Sequence, residues 1–154
     1  MAFLPPDTGD LVLRLLAATV FGGGVGIDRE VRGKPAGMRT HALVALGAAL
    51  VTVVIVRVVP VGIEHVNAIS RVIQGIIAGV GFLGAGAILK SPQGEDVHGL
   101  TTAASIWFVA ALGTACGTGQ WIAALVGVGF AFLILIAGLA VEKIVRRIFG
   151  QHEP

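Results

Sequence analysis

Few residues of this chain could do chemistry, and they fall in short clusters. The densest is Asp28-Arg29-Glu30, at the end of an apolar stretch that reads as a helix. Carboxylates at a helix C-terminus face carbonyls that already carry partial negative charge, so something must compensate them. The compensation is either internal, from Arg29, Arg32 (i,i+4 from Asp28) and Arg39, or a Mg²⁺ held through water by Asp28 and Glu30. Magnesium takes one or two carboxylates and keeps several waters, so the residue types suit it. A second polar group is Arg71 with Gln74 one turn on. It reads as an interfacial anchor with an interhelical amide, or as the polar entrance of a pathway. Thr40 and Thr102, three residues after Gly37 and Gly99, are placed to cap helix N-termini, with Thr101 beside the second.

The other candidates are weaker. His41, His65, His98 and His152 share no metal-binding spacing, which predicts solvated or interfacial roles. Ser105 has no His or acid near it in sequence, so no nucleophilic triad is suggested. Cys116 stands alone, which excludes an internal disulfide and a cysteine zinc site, and it reads as a packing residue. Trp107 is too far along its helix for an interfacial belt and is assigned to the core. No constellation marks an enzyme or calls for a cofactor.

The elements that must position these residues follow from composition. Of the 154 residues 55% are hydrophobic and 13% charged, with 23 glycines and a net charge of +2; the mean hydropathy is +0.91. A soluble domain carries about 25% charged residues, and a disordered one carries low hydrophobicity and high net charge. The chain is an all-α integral membrane protein, and the small net charge gives no reason to expect nucleic acid. Its charges divide it into five transmembrane helices at about 11–27, 42–59, 72–89, 100–116 and 121–141, the last two separated by the turn Gly117-Thr118-Gly119-Gln120. Together they make a single transmembrane domain over 1–154. Arg14 and Arg57, near span ends, would snorkel to the interface. Eight cations (Arg29, Arg32, Lys34, Arg39, Lys90, Lys143, Arg146, Arg147) fall on one side and three (Arg14, Arg57, Arg71) on the other. The positive-inside rule then predicts the N-terminus outside and the C-terminus in the cytoplasm. No acidic residue lies deep in a span, which disfavours a proton-coupled pump.

The glycines carry an internal echo. Gly37-Met38-Arg39-Thr40-His41-Ala42 opens the second span and Gly99-Leu100-Thr101-Thr102-Ala103-Ala104 the fourth, 62 residues later. Phe21-Gly22-Gly23 returns as Phe82-Leu83-Gly84, offset by 61. This reads as a duplicated helical hairpin followed by a fifth helix, or as chance likeness between glycine-rich helices. Gly22-x-x-x-Gly26 and Gly75-x-x-x-Gly79 have the spacing that lets helices approach closely. The run Gly79, Gly81, Phe82, Gly84, Gly86 admits a second reading, a partly unwound segment lining a cavity.

Taken in order, these motifs resemble the MgtC/SapB family of bacterial inner-membrane proteins. The matching stretches are Gly26–Glu30, Gly37–Val44, Arg71–Gly75, Gly79–Gly86 and Gly99–Trp107. The resemblance implies about five spans in the cytoplasmic membrane and a link to growth in low magnesium and survival inside host cells. It also implies modulation of other membrane machinery, notably the F-type ATP synthase, rather than magnesium carriage. Position 28 is Asp where the family usually has Glu. The cytoplasmic ACT-like domain of many members has no counterpart in the residues after the last span. The expected function is therefore a non-enzymatic modulator that associates with the bilayer, with itself (a dimer favoured) and with a membrane protein partner. The alternative is a small oligomeric transporter or channel for Mg²⁺ or another small solute.

Overall fold

The computed structural model describes residues 7–90 and 97–149; His152 and the segment 91–96 lie outside them. Five helices follow one another: α1 (Thr8–Val31), α2 (Met38–Val58), α3 (Ile63–Ala87), α4 (Leu100–Gly117) and α5 (Trp121–Phe149). Each contains a stretch long and apolar enough to cross a membrane. Between α3 and α4, two-residue strands β1 (Leu89–Lys90) and β2 (Val97–His98) pair antiparallel. The turn between α4 and α5 closes where the sequence places it: Gly119 takes φ +76°, and Gln120 N–H bonds the Ala115 carbonyl at 2.8 Å.

Helix boundaries differ from the charge-free spans. The helices α1 and α3 run on through charged residues, because backbone hydrogen bonding continues past the point where side chains leave hydrocarbon. Asp28, Arg29 and Glu30 thus lie inside the last turns of α1. Arg71 does not open its span, since α3 begins at Ile63, eight residues or about 12 Å earlier. The unwound reading of Gly79–Gly86 is overturned, for α3 is continuous helix to Ala87.

Lipid tails are as apolar as leucine, so helices in a bilayer associate through close backbone approach rather than hydrophobic drive. The core obeys this. Its fully buried apolar residues are mostly small (Ala18, Ala45, Ala49, Ala110, Cys116), while Leu16, Leu43, Phe82, Phe130 and Ile134 face outward. Trp107 also faces outward, 48% exposed, instead of packing in the core. The most buried helix, α4, lies against α2, with α1 and α3 flanking that pair and α5 resting lightly on α4 and α1.

Two glycines of α4 make the central seam. Gly113 lies on the Ala45 carbonyl so closely that a Cβ there would overlap it. One turn on, a Cβ at Gly117 would lie 2.8 Å from the Ala49 carbonyl oxygen. The echo in the sequence has a spatial counterpart. In the first hairpin Gly22 packs on His41, and in the second Gly84 packs on Ala103; the second pair stands 62 positions after the first, the offset of the Gly37 and Gly99 segments and one more than that of the phenylalanine motif. Gly26 likewise abuts Met38 and Gly37. By contrast Gly75, Gly79, Gly81 and Gly86 meet nothing, so the Gly75/Gly79 pair makes no close approach within this chain.

Substitution should separate the two kinds of glycine. Gly113→Ala is expected to destabilise by about 1–3 kcal/mol through overpacking. Gly47→Ala, at an open position on α2, should be neutral or stabilising by up to about 1 kcal/mol. Unfolding of the detergent-solubilised chain in sodium dodecyl sulfate checks both.

Candidate functional site

Four of the buried polar residues of the core, Arg29, His41, Thr102 and Ser105, gather at the end of the bundle that carries the α1–α2 and α3–α4 connections. Arg29 lies on the inward face of α1, only 4% exposed, and its Nη2 donates to Thr102 Oγ1 on α4 at 3.0 Å. His41, in the second turn of α2, is completely buried. Its Nδ1 lies 2.9 Å from the Gly37 carbonyl and its Nε2 lies 2.9 Å from Ser105 Oγ. Ser105 Oγ is in turn 2.8 Å from the Thr102 carbonyl. A carbonyl only accepts, so Nδ1 carries a hydrogen. Ser105 has a single hydroxyl hydrogen to place. With a neutral ring it goes to Nε2; with both nitrogens protonated it turns to the Thr102 carbonyl.

This chain of bonds, Arg29–Thr102–Ser105–His41, ties α1, α2 and α4 together. It corrects two expectations: His41 is neither solvated nor interfacial, and Ser105 does have a histidine partner, 64 residues away. The pair is not a catalytic triad, since the third position is held by the Gly37 carbonyl rather than a carboxylate. No local spacing announces it. The available signal was that His41 falls in one echoed segment and Ser105 directly follows the other.

The threonine caps are also replaced. Thr40 is exposed and makes no cap, and neither α2 nor α4 has a side-chain bond from its own N-cap residue. Glu30 reaches across from α1 instead, its Oε2 accepting from the Met38 N–H at 2.8 Å. Gly37 makes room for it, because a Cβ there would sit 2.7 Å from that oxygen. Thr102 is buried and spends its hydroxyl on Arg29, while Thr101 is exposed.

Asp28 and Glu30 do not converge on one ion. Residues two apart on a helix point about 200° from each other. Asp28 Oδ1 accepts from Arg32 Nε at 2.8 Å, the i,i+4 pair foreseen from the spacing. Arg39 is exposed and lies outside these bonds. Among the described residues no three His, Cys, Asp or Glu side chains could hold a metal. Two buried side-chain atoms lack a partner there, Asp28 Oδ2 and Arg29 Nε. Arg71 and Gln74 are exposed on α3, far from this cluster. Arg14 and Arg57 are paired: Arg57 bridges Asp7 at 2.6 Å and Asp10 at 3.1 Å, and Arg14 binds Asp10 and the Gly117 carbonyl, both at 2.8 Å.

Five membrane-length helices held by a small-residue seam, with a buried Arg–Thr–Ser–His network at one end, define a multi-pass membrane protein. The MgtC family profile matches residues 15–144, and the chain belongs to that family. It is 44% identical over 155 residues to Protein SrpB of Synechococcus elongatus, covering 92% of this chain and 82% of SrpB. It is 38% identical over 137 residues to Protein MgtC of Salmonella typhimurium, covering 89% of this chain and 54% of MgtC. The chain thus spans little more than half the length of MgtC. No solved structure matches it. Family membership places it in the bacterial inner membrane.

Two variants of Glu30 test the cap. Glu30→Ala should cost about 1 kcal/mol, as loss of an N-terminal acceptor does, whereas Glu30→Gln retains an oxygen and most of that stability. A double-mutant cycle of His41→Ala with Ser105→Ala should give a coupling of about 0.6–2 kcal/mol, the range of interhelical hydrogen bonds in membranes. Detergent-phase unfolding reads both.

Proposed function

We propose that this chain is a non-enzymatic modulator of other membrane machinery, an ion-translocating complex such as the F-type ATP synthase, in adaptation to low Mg²⁺. The observation that carries this reading is the family match, which reaches from α1 to α5. The relative named MgtC shares 38% of residues across the same region. In this reading the connections bearing Arg29–Arg39 lie in the cytoplasm, in keeping with the eight-to-three division of cations.

Two features of the geometry favour modulation over transport. At each end of the bundle several polar side chains bond one another, Arg29 with Thr102, His41 with Ser105 and Asp28 with Arg32 at one end, Arg14 and Arg57 with Asp10 at the other, and the hydroxyls between the ends turn back on their own helices. Thr19, Thr52 and Thr114 donate to the carbonyls of Leu15, Ala48 and Ala110 at 2.7, 2.7 and 3.0 Å. Turned back in this way, these hydroxyls give a permeating ion no lining to replace its water. The second feature is on α3. At 100° per residue Gly75, Gly79, Phe82 and Gly86 fall within a strip about 60° wide. The three glycines have nothing against them, and Phe82 is 82% exposed. The opposite face, at Gly84, is the one that packs on α4. The open strip suits a helix of a partner or of a second copy.

Affinity purification from Mg²⁺-starved membranes should recover a defined membrane complex, and Gly79→Leu should release it while leaving the chain folded. Recovery of nothing but the chain itself would overturn the modulator reading. Flux of Mg²⁺ into proteoliposomes above the protein-free rate would replace it with a channel.

A further inference from the structure

We propose that the cavity beside Arg29 binds the phosphate group of an anionic phospholipid, with an acyl chain in the apolar groove that continues from it. This assignment is independent of the modulator reading.

The cavity measures about 700 Å³ and is lined on its polar side by Arg29, Arg32, Lys34, His98, Thr101 and Thr102. Among the described residues no carboxylate lines it. Asp28, adjacent in sequence to Arg29, gives its Oδ1 to Arg32 and does not line the cavity. The lining includes the N-terminus of α4, where Leu100, Thr101 and Thr102 hold the first N–H groups of an 18-residue helix. These have no intrahelical acceptor and concentrate the positive end of the helix dipole. The first turn carries no acidic residue to offset it.

Arg29 is the second and independent observation. It is 96% removed from solvent by its 4% exposure, yet its only bond among the described residues is to a neutral hydroxyl, and its Nε has no partner. A buried guanidinium with no anion hydrogen-bonded to it is costly. Of the three permanent cations facing the cavity Arg32 is bonded to Asp28, while among the described residues Arg29 and Lys34 have no carboxylate bonded to them, and a phosphate oxyanion fits these two and the helix N-terminus through charge-assisted hydrogen bonds.

The far wall of the cavity identifies the source of that phosphate. Ile134 and Leu135 of α5 line it, together with Thr101, and the same three residues line a second cavity of about 250 Å³. That groove is formed mainly by Val25, Ala104, Phe108, Gly127, Phe130 and Ala131, with Ser105 the polar exception beside Thr101. A basic chamber opening into an apolar groove matches a headgroup and its chain, whereas a soluble phosphate would use only the chamber.

Native mass spectrometry of the full chain released from nanodiscs tests this, with dioleoylphosphatidylglycerol and dioleoylphosphatidylcholine as the probes. The chain should retain phosphatidylglycerol with about tenfold higher affinity than phosphatidylcholine, and Arg29→Gln should remove that preference. Because Arg29→Gln also loses the bond to Thr102, a second variant guards against misfolding. Thr101→Asp sets a fixed carboxylate in the first turn of α4, which should raise thermal stability in lipid-free detergent while abolishing the preference. Equal retention of the two lipids, or variants that leave the preference intact, would overturn the proposal. Inorganic phosphate that binds as tightly as the lipid and displaces it fully would overturn the lipid assignment in favour of a soluble oxyanion. A change of oligomeric state in the variants without a change in lipid retention would overturn it in favour of an interface between copies.

Discussion

The contact between α2 and α4 is the constraint on which the other helices depend. In a bilayer nothing squeezes apolar faces together, so two helices stay in contact only where their backbones can come close. Gly113 and Gly117 against Ala45 and Ala49 provide that place, and the absence of side chains there is what brings His41 within reach of Ser105. With the pair fixed, α1 finds its position through Gly22 and Gly26, and α3 through Gly84. Arg29 can then reach Thr102 only because α1 sits in that groove. A wider spacing at the seam would break the polar network before it exposed any apolar surface to water.

The polar network resolves an apparent conflict. Buried arginine and histidine are expensive in a membrane, yet here both serve as ties between helices. The energy of such ties is modest, and their specificity is greater than their strength. Hydroxyls and a ring with fixed directions define which turn of α2 faces which turn of α4, something small apolar residues alone leave free to slide. Glu30 adds a similar instruction at the α1–α2 connection. Its carboxylate can cap α2 only if the loop between them closes to one length and Gly37 stays bare.

Much of the architecture was legible in the residues. Five helices, the Gly119 turn and the Asp28–Arg32 pair follow from charge-free runs, glycine punctuation and i,i+4 spacing. So does the close packing of Gly22 and Gly26. The misses share a cause. Thr40 and Thr102 were assigned to caps by position, but a hydroxyl has several acceptors and donors in reach, and a long Glu30 side chain outcompetes a local one. His41 and Ser105 are joined through tertiary contact, which no local period encodes. Gly113-x-x-x-Gly117 and Ala45-x-x-x-Ala49 were both visible in the sequence, yet in a chain with 23 glycines the pairs that pack cannot be told from those left open, such as Gly75 and Gly79. Trp107 shows the inversion of burial logic in lipid, where a large aromatic belongs outside and an alanine inside.

The helices also differ in length, and this bears on how the protein fits its bilayer. At 1.5 Å per residue the central α4 spans about 27 Å, while α3 and α5 span about 37 and 43 Å. A hydrocarbon core is about 30 Å thick. The short helix is the most shielded by the others, so the bilayer acts chiefly on the long outer ones. These can meet a membrane of ordinary thickness only by tilting or by carrying their ends through the headgroups. Tilt in α3 would be transmitted to α4 at Gly84, where the two touch. Bilayer thickness thereby becomes a mechanical input to the loop-side end of the molecule, applied through the most buried of the five helices.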